Sequence, residues 1–469
     1  MKLIGLDFGS TTCSAIIADA ERVRTTSSGK MELSNPTILF RSEPVFTPFL
    51  PSAPELIDEV RLRTLLDQWL APLTGSAAKI QAGGAIITGL AAQKKNALSI
   101  TRLVQSRIGD AVIAVADDPS LESWVSFMGN TAALSAANSQ VNYLNLDVGG
   151  GTTNIALGRD SEVLATGCFW IGARHLQFIP GSYQLSAISH FGRLVLDHLK
   201  IPKTVGASLD PTEVDSVICF YIKTLESLVQ GMRLSNSAAN DLAQIPFIAS
   251  EDLSSAIVTW SGGVGELLYR HSSGAELPGP THYGDLGIDL ARAICRSSLL
   301  SRDLKTHVPA HQGRATVYGL MLHSTHVSGN TLFLPKPTAL PLRDLPLLGR
   351  VTLQMSEKQL VLLIARVGKA PSGGALRLQA EFGSLPELKI FTQRFREALR
   401  GAHYPFDRPL VLFVSQNVGK TLGQYITQWG QSDYNLIVID EIAVREARFA
   451  SVGQFSLGFV PVSFYGSTL

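Results

Sequence analysis

The chain has 469 residues, of which 45% are hydrophobic and 17% are charged, so it can bury a large interior. At about 150 residues per domain, this length favours roughly three modules over one compact core. Lysine plus arginine number 40 and aspartate plus glutamate 39, which leaves a formal charge of +1. A nearly neutral chain offers no global attraction to a nucleic acid or an anionic membrane surface, so neither is expected as a partner.

The distribution of apolar residues and cysteines predicts a cytoplasmic protein. No apolar run reaches the roughly 18 residues of a membrane helix, and the first apolar segment is interrupted at Asp7 before it reaches signal-peptide length. The cysteines are widely separated and show no paired spacing, which predicts reduced thiols rather than disulfides or a zinc site. They are Cys13, Cys168, Cys219 and Cys295.

The chain opens with a predicted β-hairpin. Residues 2–17 give a strand, a polar Gly/Ser/Thr turn and a second strand of small and β-branched residues. A stretch rich in Ser, Thr and Pro then predicts an irregular sheet insertion, followed by a helix over residues 55–70. Apolar runs at residues 85–89 and 111–116, with helix-like sequence between them, predict buried parallel strands. A further helix is expected over residues 121–134.

The same hairpin pattern restarts near residue 143. An apolar run at residues 143–148 is followed by three glycines and two threonines, and return arms are predicted at residues 154–158 and 161–167. Two copies of strand, Asp-x-Gly turn and strand imply an internally duplicated α/β protein with a cleft between its halves. Residues 256–261 then predict a strand that runs into a Gly-rich turn, and the second half is expected to end near Gly329.

A Pro/Leu-rich connector from about residue 332 leads to a predicted third module. Its apolar runs at residues 360–365, 410–414 and 436–440 are expected as strands. Helical patterns at residues 385–399 and 423–429 separate them. This alternation favours another α/β unit.

The first motif is the turn over residues 7–12, Asp-Phe-Gly-Ser-Thr-Thr. Its glycine lets the backbone approach an anion, its amides and hydroxyls can donate to phosphate oxygens, and Asp7 at the strand end can hold Mg²⁺ through water. A plain β-turn would explain this motif taken alone. The candidate phosphate-binding residues are Gly9, Ser10, Thr11 and Thr12.

The second motif repeats this chemistry over residues 147–153, Asp-Val-Gly-Gly-Gly-Thr-Thr. Two aspartates that face each other across a cleft, each beside a Gly/Thr loop, are typical of a MgATP site in which the metal offsets triphosphate charge. Asp147 is thus the second candidate metal ligand. The candidate phosphate-binding residues here are Gly149, Gly150, Gly151, Thr152 and Thr153.

The third motif, Ser-Gly-Gly-Val-Gly over residues 261–265, follows a predicted strand. Its glycines could pass close to a flat ring and its ribose, although a packing turn would also explain a lone motif of this kind. Its position downstream of both phosphate loops favours adenosine binding. The candidate residues are Ser261, Gly262, Gly263 and Gly265.

These three motifs, in this order and spacing, resemble the superfamily of actin, heat-shock chaperones and sugar kinases, whose two ribonuclease H-like domains bind ATP in the cleft between them. Residues 84–89, 121–123, 286–287 and 438–441, together with the second motif, resemble the ethanolamine ammonia-lyase reactivating factor (EutA) family over residues 1 to about 462. The resemblance implies an α/β protein with duplicated actin-like ATPase domains flanking a nucleotide cleft and a C-terminal α/β module.

The restart of the hairpin pattern and the Pro/Leu-rich connector predict how the chain is divided. The first half would cover residues 1–140, with an insertion near residues 22–80, and the second half residues 141–330. The C-terminal module would cover residues 331–469.

The resemblance also implies the family's activity. A slow ATPase would act as a chaperone-like factor that releases damaged cobalamin from adenosylcobalamin-dependent ethanolamine ammonia-lyase, so that intact coenzyme can rebind. ATP and Mg²⁺ would be its cofactors. Asp7 and Asp147 would organise Mg²⁺ and water, and Glu122 would be a third catalytic carboxylate. Residues 124–130 are bulkier than the family's usual Ala/Gly-rich stretch, which predicts altered helix packing beside the nucleotide.

Two other functions and two decoy motifs are also consistent with parts of the sequence. A small-molecule kinase of the same superfamily would need a carboxylate base for a substrate hydroxyl, and the sequence offers no convincing candidate. A filament-forming scaffold of actin type is less favoured, because the third module matches the reactivating-factor pattern. Gly419-Lys420-Thr421 resembles the end of a Walker A loop, but Val414 stands where its first glycine belongs, so a helix start is favoured. Asp440-Glu441 is interpreted as a charged strand terminus. Homo-oligomer formation and association with a bacterial microcompartment are left open.

Overall fold

The protein is described by a computed structural model that covers most of the chain. The described residues are 1–24, 31–50, 53–73, 80–108, 115–116, 119–232, 234, 237–323, 325–328, 331–336, 339–442, 447–456 and 458–465. Residues 111–114, where a strand was predicted, lie outside these ranges. Within the described part of the chain, no helix is both long and apolar enough to cross a membrane.

The first part of the chain builds a six-stranded sheet with the order β3-β2-β1-β7-β8, in which β4 also pairs with β2. The first three strands are antiparallel, whereas β7 is parallel to β1 and β8 to β7. The elements are β1 (Lys2–Phe8), β2 (Thr12–Arg24), β3 (Met31–Arg41), β4 (Val45–Phe46), β5 (Phe49–Leu50), β6 (Ala53–Ile57), α1 (Glu59–Leu70), β7 (Ala82–Ile87), α2 (Gly89–Ala92), α3 (Ala97–Ile108), β8 (Val115–Ala116), α4 (Pro119–Asn130) and α5 (Ala132–Ala137).

The second part builds a five-stranded sheet with the order β14-β11-β10-β9-β15. Here β9, β10 and β11 are antiparallel neighbours, and β15 is parallel to β9. The elements are β9 (Tyr143–Val148), β10 (Thr153–Arg159), β11 (Glu162–Phe169), β12 (Leu176–Phe178), β13 (Leu185–Ile188), α6 (His190–His198), α7 (Pro211–Val229), α8 (Ser237–Asp241), β14 (Ala243–Ile245), β15 (Ile257–Ser261), α9 (Gly262–Ser272) and α10 (Gly287–Arg296).

The two sheets are copies of one arrangement. In each, an antiparallel three-strand meander begins at the central strand, and a later strand pairs in parallel with the other edge of that same strand. Thus β9 corresponds to β1, β10 to β2, β11 to β3 and β15 to β7. The parallel strand lies next to the central one because a connection that includes a helix can return the chain in the same direction.

The C-terminal part forms a seven-stranded sheet with the order β16-β22-β21-β17-β18-β19-β20. Strands β17 to β20 are parallel neighbours in chain order, and their connecting helices pack on one face. The elements are a 3₁₀ turn at Gln312–Arg314, α11 (Ala315–His323), β16 (Thr325–Val327), β17 (Leu342–Val351), α12 (Glu357–Lys369), β18 (Gly374–Leu378), α13 (Leu385–Gly401), β19 (Leu410–Val414), α14 (Gly419–Ile426), β20 (Leu436–Ile439), β21 (Phe449–Val452) and β22 (Pro461–Tyr465).

This topology confirms the predicted fold class, duplicated ribonuclease H-like domains of the actin-like ATPase type followed by a C-terminal α/β module. Four local predictions were wrong. Residues 360–365 are helical within α12, because Ser356 and Gln359 form a capping box and the buried residues follow helical spacing. The helix predicted from residue 55 begins at Glu59, after the N-cap Asp58. The last predicted helix spans Gly419–Ile426 instead of 423–429. No separate turn follows β15, because α9 begins at Gly262.

One helix from each half packs on the sheet of the other half. Although α4 precedes the second sheet in the chain, it packs on β10 and β11, whereas α11 packs on β1 and β7 of the first sheet. The two helices cross closely, since a Cβ on Gly129 would overlap the Ala315 backbone and one on Gly319 would overlap the Val125 backbone. The domain boundaries near residues 140 and 330 stay predictions. The helix before each boundary packs on the sheet of the other half, so the packing does not follow chain order there.

The C-terminal module contacts the first half through a polar network. The guanidinium of Arg24, at the end of β2, donates to both carboxylate oxygens of Glu441, at 2.9 and 3.3 Å. The side chain of Asn417 also donates to Glu441, at 2.8 Å. Thr331 donates to the neighbouring Asp440. The Asp440-Glu441 pair therefore serves contacts within the protein, and the Walker-like segment begins helix α14.

Candidate functional site

The two β-hairpin turns are closed by the same backbone hydrogen bond. In loop 1, defined as residues 9–12, the amide of Gly9 donates to the carbonyl of Thr12 at 3.0 Å. In loop 2, defined as residues 149–152, the amide of Gly149 donates to the carbonyl of Thr152 at 2.9 Å. Asp7 and Asp147 each occupy the last position but one of the preceding strand. The duplication therefore extends to the placement of the two carboxylates.

The tips of the two loops lie against each other. A Cβ on Gly150 would overlap the Thr11 hydroxyl, so glycine is required for this approach. Thr11 and Gly150 are both partly exposed. The structure therefore brings Thr11 and Gly150, 139 residues apart in sequence, into contact, so that the first two motifs form adjoining backbone loops.

Loop 1 is supported by Thr47, which follows β4 within the insertion of the first half. The hydroxyl of Thr47 donates to the Gly9 carbonyl at 2.6 Å, and the Thr47 amide donates to the Thr11 carbonyl at 2.9 Å. The thiol of Cys13 in turn donates to the Thr47 hydroxyl at 3.3 Å. Sequence reasoning missed Thr47, because a single threonine in an irregular stretch carries no recognisable pattern.

Loop 2 is supported by the segment that follows β11. A Cβ on Gly172 would lie 2.5 Å from the Gly150 carbonyl oxygen and 2.7 Å from the Gly151 carbonyl carbon. The amide of Ala173 donates to the Gly149 carbonyl at 3.1 Å, and that of Arg174 to the Gly150 carbonyl at 2.6 Å. The sequence analysis did not identify these supporting residues. The glycine at position 172 was the one feature of this segment that could have indicated a close backbone contact.

His175 completes the support of loop 2. Its Nε2 lies 2.7 Å from the Gly151 carbonyl and its Nδ1 lies 2.7 Å from the Ser189 hydroxyl. Burial lowers the pKa of His175 from 6.5 to about 4, so the ring is neutral at neutral pH. The carbonyl can only accept, so Nε2 carries the proton and Nδ1 accepts from Ser189. His175 is therefore a fixed structural donor to loop 2.

The two aspartates differ in their partners. Burial, and then the nearby Asp147 carboxylate, raise the pKa of Asp7 from 3.8 to about 7. Among the described residues, Asp7 Oδ1 is buried without a hydrogen-bond partner, although Asp7 as a whole is partly exposed. Burial raises the pKa of Asp147 to about 6, opposed by the Ser261 hydroxyl, which donates to its Oδ2 at 2.7 Å. Asp147 is therefore held in place, whereas Asp7 has an unsatisfied oxygen.

Glu122 joins the aspartates from the first turn of α4. Burial, and then Asp7 and Asp147, raise the pKa of Glu122 well above its ordinary value. Asn154, opposite Asp147 in the second sheet, and Thr88, beside loop 1, oppose this rise in the pKa. Because three carboxylates interact in a largely buried site, the site favours protonation or a bound cation.

The third motif lies beside Asp147, because β15 pairs in parallel with β9 and aligns Ser261 with that residue. Gly262 has φ +78°, and a Cβ there would lie 2.6 Å from the Val148 carbonyl oxygen and 2.7 Å from Asp147 Oδ1. Gly263 is exposed and has open space where a Cβ would stand. Gly263 therefore offers exposed backbone without a side chain, close to the end of β9, where loop 2 begins.

Not every candidate residue faces the cleft. The hydroxyl of Thr153 donates to the Ile171 carbonyl at 2.8 Å, and a Cβ on Gly265 would lie 3.0 Å from the Trp260 backbone. Both residues are buried and belong to the supports of the site. Ser10 and Thr152 are also buried. Gly149, Gly150, Thr11, Gly262 and Gly263 keep exposed surface.

Several solved structures are similar to this chain. A Ppx/GppA family member from Aquifex aeolicus gives a TM-score of 0.34 at 14% identity, covering 68% of this chain and 87% of that one. An exopolyphosphatase from Cytophaga hutchinsonii gives 0.34 at 15% identity, covering 59% and 73%. The ethanolamine utilization protein EutJ from Carboxydothermus hydrogenoformans gives 0.27 at 15% identity, covering 69% and 89%.

Sequence comparison extends over nearly the whole chain. The ethanolamine ammonia-lyase reactivase EutA of Escherichia coli is 28% identical over 480 aligned positions, covering 98% of this chain and 97% of that protein. The protein of the same description from Salmonella typhimurium is 28% identical over 473 positions, with the same coverage. The family model described as ethanolamine utilisation protein EutA matches residues 1–464. The chain therefore belongs to the EutA family.

Proposed function

We propose that this protein is an ATP-dependent reactivase that acts on ethanolamine ammonia-lyase and releases damaged cobalamin, so that intact coenzyme can bind. The observation that carries the proposal is the meeting of loop 1 and loop 2 at Thr11 and Gly150, with Asp7 and Asp147 directly behind them. Both relatives that match over nearly the whole chain are described as ethanolamine ammonia-lyase reactivases, and this description suggests the protein partner.

The carboxylates fit a magnesium ion. Asp7 Oδ1 is buried without a partner among the described residues, and the causes that raise the pKa values of Asp7 and Glu122 are burial and other carboxylates. In the described part of the chain, no group of three or more histidine, cysteine or acidic side chains is placed to hold a metal ion, so the ion would take one or two carboxylates. Such a donor set suits Mg²⁺, which is usually bound through one or two carboxylates, waters and substrate phosphates. When bound, it would neutralise the charge of the triphosphate.

The chain's own residues then have distinct roles. The amides and hydroxyls of loop 1 and loop 2 would bind the phosphates, and Gly262 and Gly263 would lie against the adenosine. Asp7 would supply its unsatisfied oxygen to the metal, and Ser261 would keep Asp147 oriented. Glu122 would hold a proton in the metal-free site, since its pKa is raised. With a cation nearby, it would lose that proton and orient water.

Nucleotide binding can be linked to the protein partner through the crossing of α4 and α11. The glycines at this crossing let two helix backbones touch, and each helix packs on the sheet of the other half. Such packed helices can shift by shear when the cleft closes. The shift in population is limited by the difference in nucleotide affinity between the open and closed states.

A reactivation assay tests the proposal. Ethanolamine ammonia-lyase inhibited by cyanocobalamin is incubated with the protein, ATP, Mg²⁺ and free adenosylcobalamin, and lyase turnover is followed. We expect rescue by the wild type and by Asp197→Ala, whose carboxylate is exposed on α6, and no rescue by Asp147→Ala. Absence of rescue by the wild type contradicts the proposal, and ATP turnover that depends on a small hydroxylated substrate would instead indicate a kinase.

A further inference from the structure

Arg174 lies at the point where the two loops meet. Its Cδ and Cγ are 3.3 and 3.4 Å from the position that a Cβ on Gly150 would occupy, and the Thr11 hydroxyl lies against the same glycine. Its backbone amide donates to the Gly150 carbonyl at 2.6 Å. A cationic side chain is therefore anchored at the tip of loop 2 and extends along it.

The guanidinium of Arg174 has weak partners for a charged group with limited solvent access. One terminal N–H donates to Gln177 Oε1 at 3.1 Å, and within the described chain this is the hydrogen bond that the guanidinium makes. The guanidinium carbon lies 5.9 Å from the ring centroid of Phe46, an exposed residue of β4 in the other half. Burial lowers the pKa of Arg174, and the Asp285 carboxylate opposes this change. A guanidinium has five donors, so within the described chain most of them make no hydrogen bond to protein and can bind a ligand.

The position of Arg174 along loop 2 indicates which phosphate it can reach. Gly262 of the third motif packs on Asp147 and Val148, at the strand end of the loop, whereas Arg174 packs on Gly150 at its tip. A nucleotide with its adenosine at Gly262 and Gly263 would extend its phosphates along the loop toward the tip. The last phosphate would then lie closest to Arg174 and Thr11.

From this arrangement we infer that Arg174 binds the terminal phosphate of a nucleoside triphosphate and makes the site prefer ATP to ADP. The inference rests on the proposed function. Guanidinium N–H groups match phosphate oxygens in pairs, which gives strong, charge-assisted hydrogen bonds. In this role the side chain turns from Phe46 and Gln177 toward the junction of loop 1 and loop 2. Since Phe46 belongs to the first half, that movement releases a contact between the halves when a triphosphate is bound.

The alternative is that Arg174 only supports loop 2. Its backbone contact with Gly150 would persist in any variant, but loss of the packing of Cγ and Cδ would loosen the loop for every nucleotide. A structural role therefore weakens ATP and ADP binding together. A terminal-phosphate role weakens ATP binding and leaves ADP binding nearly unchanged.

Isothermal titration of the full-length protein with MgADP, MgATP and a non-hydrolysable MgATP analogue separates these roles. Arg174→Met keeps an unbranched apolar stem over Gly150, and Arg174→Lys keeps the charge. The matched control is Arg193→Met, on α6, whose guanidinium donates to the Lys203 carbonyl at 2.7 Å. Thermal unfolding of each variant checks that loop 2 and the fold remain intact.

We expect Arg174→Met to weaken binding of MgATP and its analogue about ten- to a hundredfold and that of MgADP less than about twofold. Arg174→Lys should lie between, and Arg193→Met should match the wild type. Equal weakening for ADP and ATP, or an unchanged ratio, overturns the inference while the proposed function stands. A wild type that binds neither nucleotide overturns both.

Discussion

Loop 1 and loop 2 have the same turn but different supports. Loop 2 rests on Gly172 to His175, in the strand connection of its own half, and His175 contributes a buried neutral donor. Loop 1 rests on Thr47, which follows a short strand of the insertion. The two hairpins therefore share the backbone geometry of their loops, but different residues stabilise that geometry in each half.

The carboxylates behind the loops have also diverged. Asp147 is oriented by the Ser261 hydroxyl, whereas Asp7 Oδ1 has no hydrogen-bond partner in the part of the chain that the structure describes. Accordingly, burial and Asp147 raise the pKa of Asp7 to about 7, and burial raises that of Asp147 to about 6. One half presents a fixed carboxylate, and the other presents an oxygen that a cation can satisfy.

The largest effect is expected from Gly172→Ala, which places a methyl group against the loop 2 backbone. The new Cβ would stand 2.5 Å from the Gly150 carbonyl oxygen, so the loop must move. We expect a loss of about 1–3 kcal/mol in the free energy of unfolding, together with at least about tenfold weaker MgATP binding. Gly279→Ala is the control, since nothing lies within 4 Å of its Cβ position. Denaturant unfolding and calorimetry that give the same result for both variants would contradict the role assigned to Gly172.

The roles of the two carboxylates are compared through the free energy of unfolding of Asp7→Asn and Asp147→Asn, measured without a divalent metal ion. Because both folded pKa values are raised above 3.8, the native state binds more protons than the unfolded state between about pH 4 and pH 7. Stability should therefore fall as pH rises through this window, and stay low above it. At about pH 8 we expect Asp7→Asn to gain about 1–3 kcal/mol, discounted for partial exposure, and Asp147→Asn to gain less.

Denaturant unfolding across pH measures this difference, and MgATP affinity should fall in both variants. Asp197→Asn, at an exposed site on α6, provides the control and should leave the pH profile unchanged. A wild-type profile that rises between about pH 4 and pH 7, and is the same in Asp7→Asn, would show that Asp7 is not destabilised by its burial.

The smallest effect is expected from Thr47→Val, which removes one hydroxyl beneath loop 1. The Gly9 carbonyl loses its donor, and a typical hydrogen bond contributes about 1 kcal/mol, so MgATP affinity should fall about fivefold. Thr64→Val removes a similar hydroxyl-to-carbonyl bond on the exposed face of α1 and should have no effect on binding. Equal affinities of the two variants in calorimetry would mean that loop 1 does not depend on the Thr47 hydroxyl.

The sequence predicted the hairpins and their polar tips well because those features are local. A strand, a Gly-rich turn and a strand are encoded within a few neighbouring residues, so Asp7 and Asp147 could be placed at strand ends without tertiary information. Local reasoning failed at residues 360–365, where a continuous apolar run fits a buried strand as well as a helix. There, the capping residues before the run would have favoured the helix.

The supports of the site could not be predicted in this way. Thr47, Gly172 and His175 act through contacts with residues far away in sequence, and none of them stands in a recognisable motif. The same holds for Arg174, whose relation to Thr11 and Phe46 exists because the two halves face each other. Nothing in a linear sequence specifies such distances.

Alone, the sequence determined the duplicated hairpins, their glycines and carboxylates and the full-length resemblance to one family, because turn geometry and strand patterning depend on residues close together in the chain. Only the tertiary structure decided that α4 packs on the second sheet and α11 on the first. It also decided that one oxygen of Asp7 has no partner among the described residues, and that Arg174 lies where loop 1 meets loop 2. Those features arise from packing between distant segments, where burial and close approach set both the charge state and the contacts of each side chain.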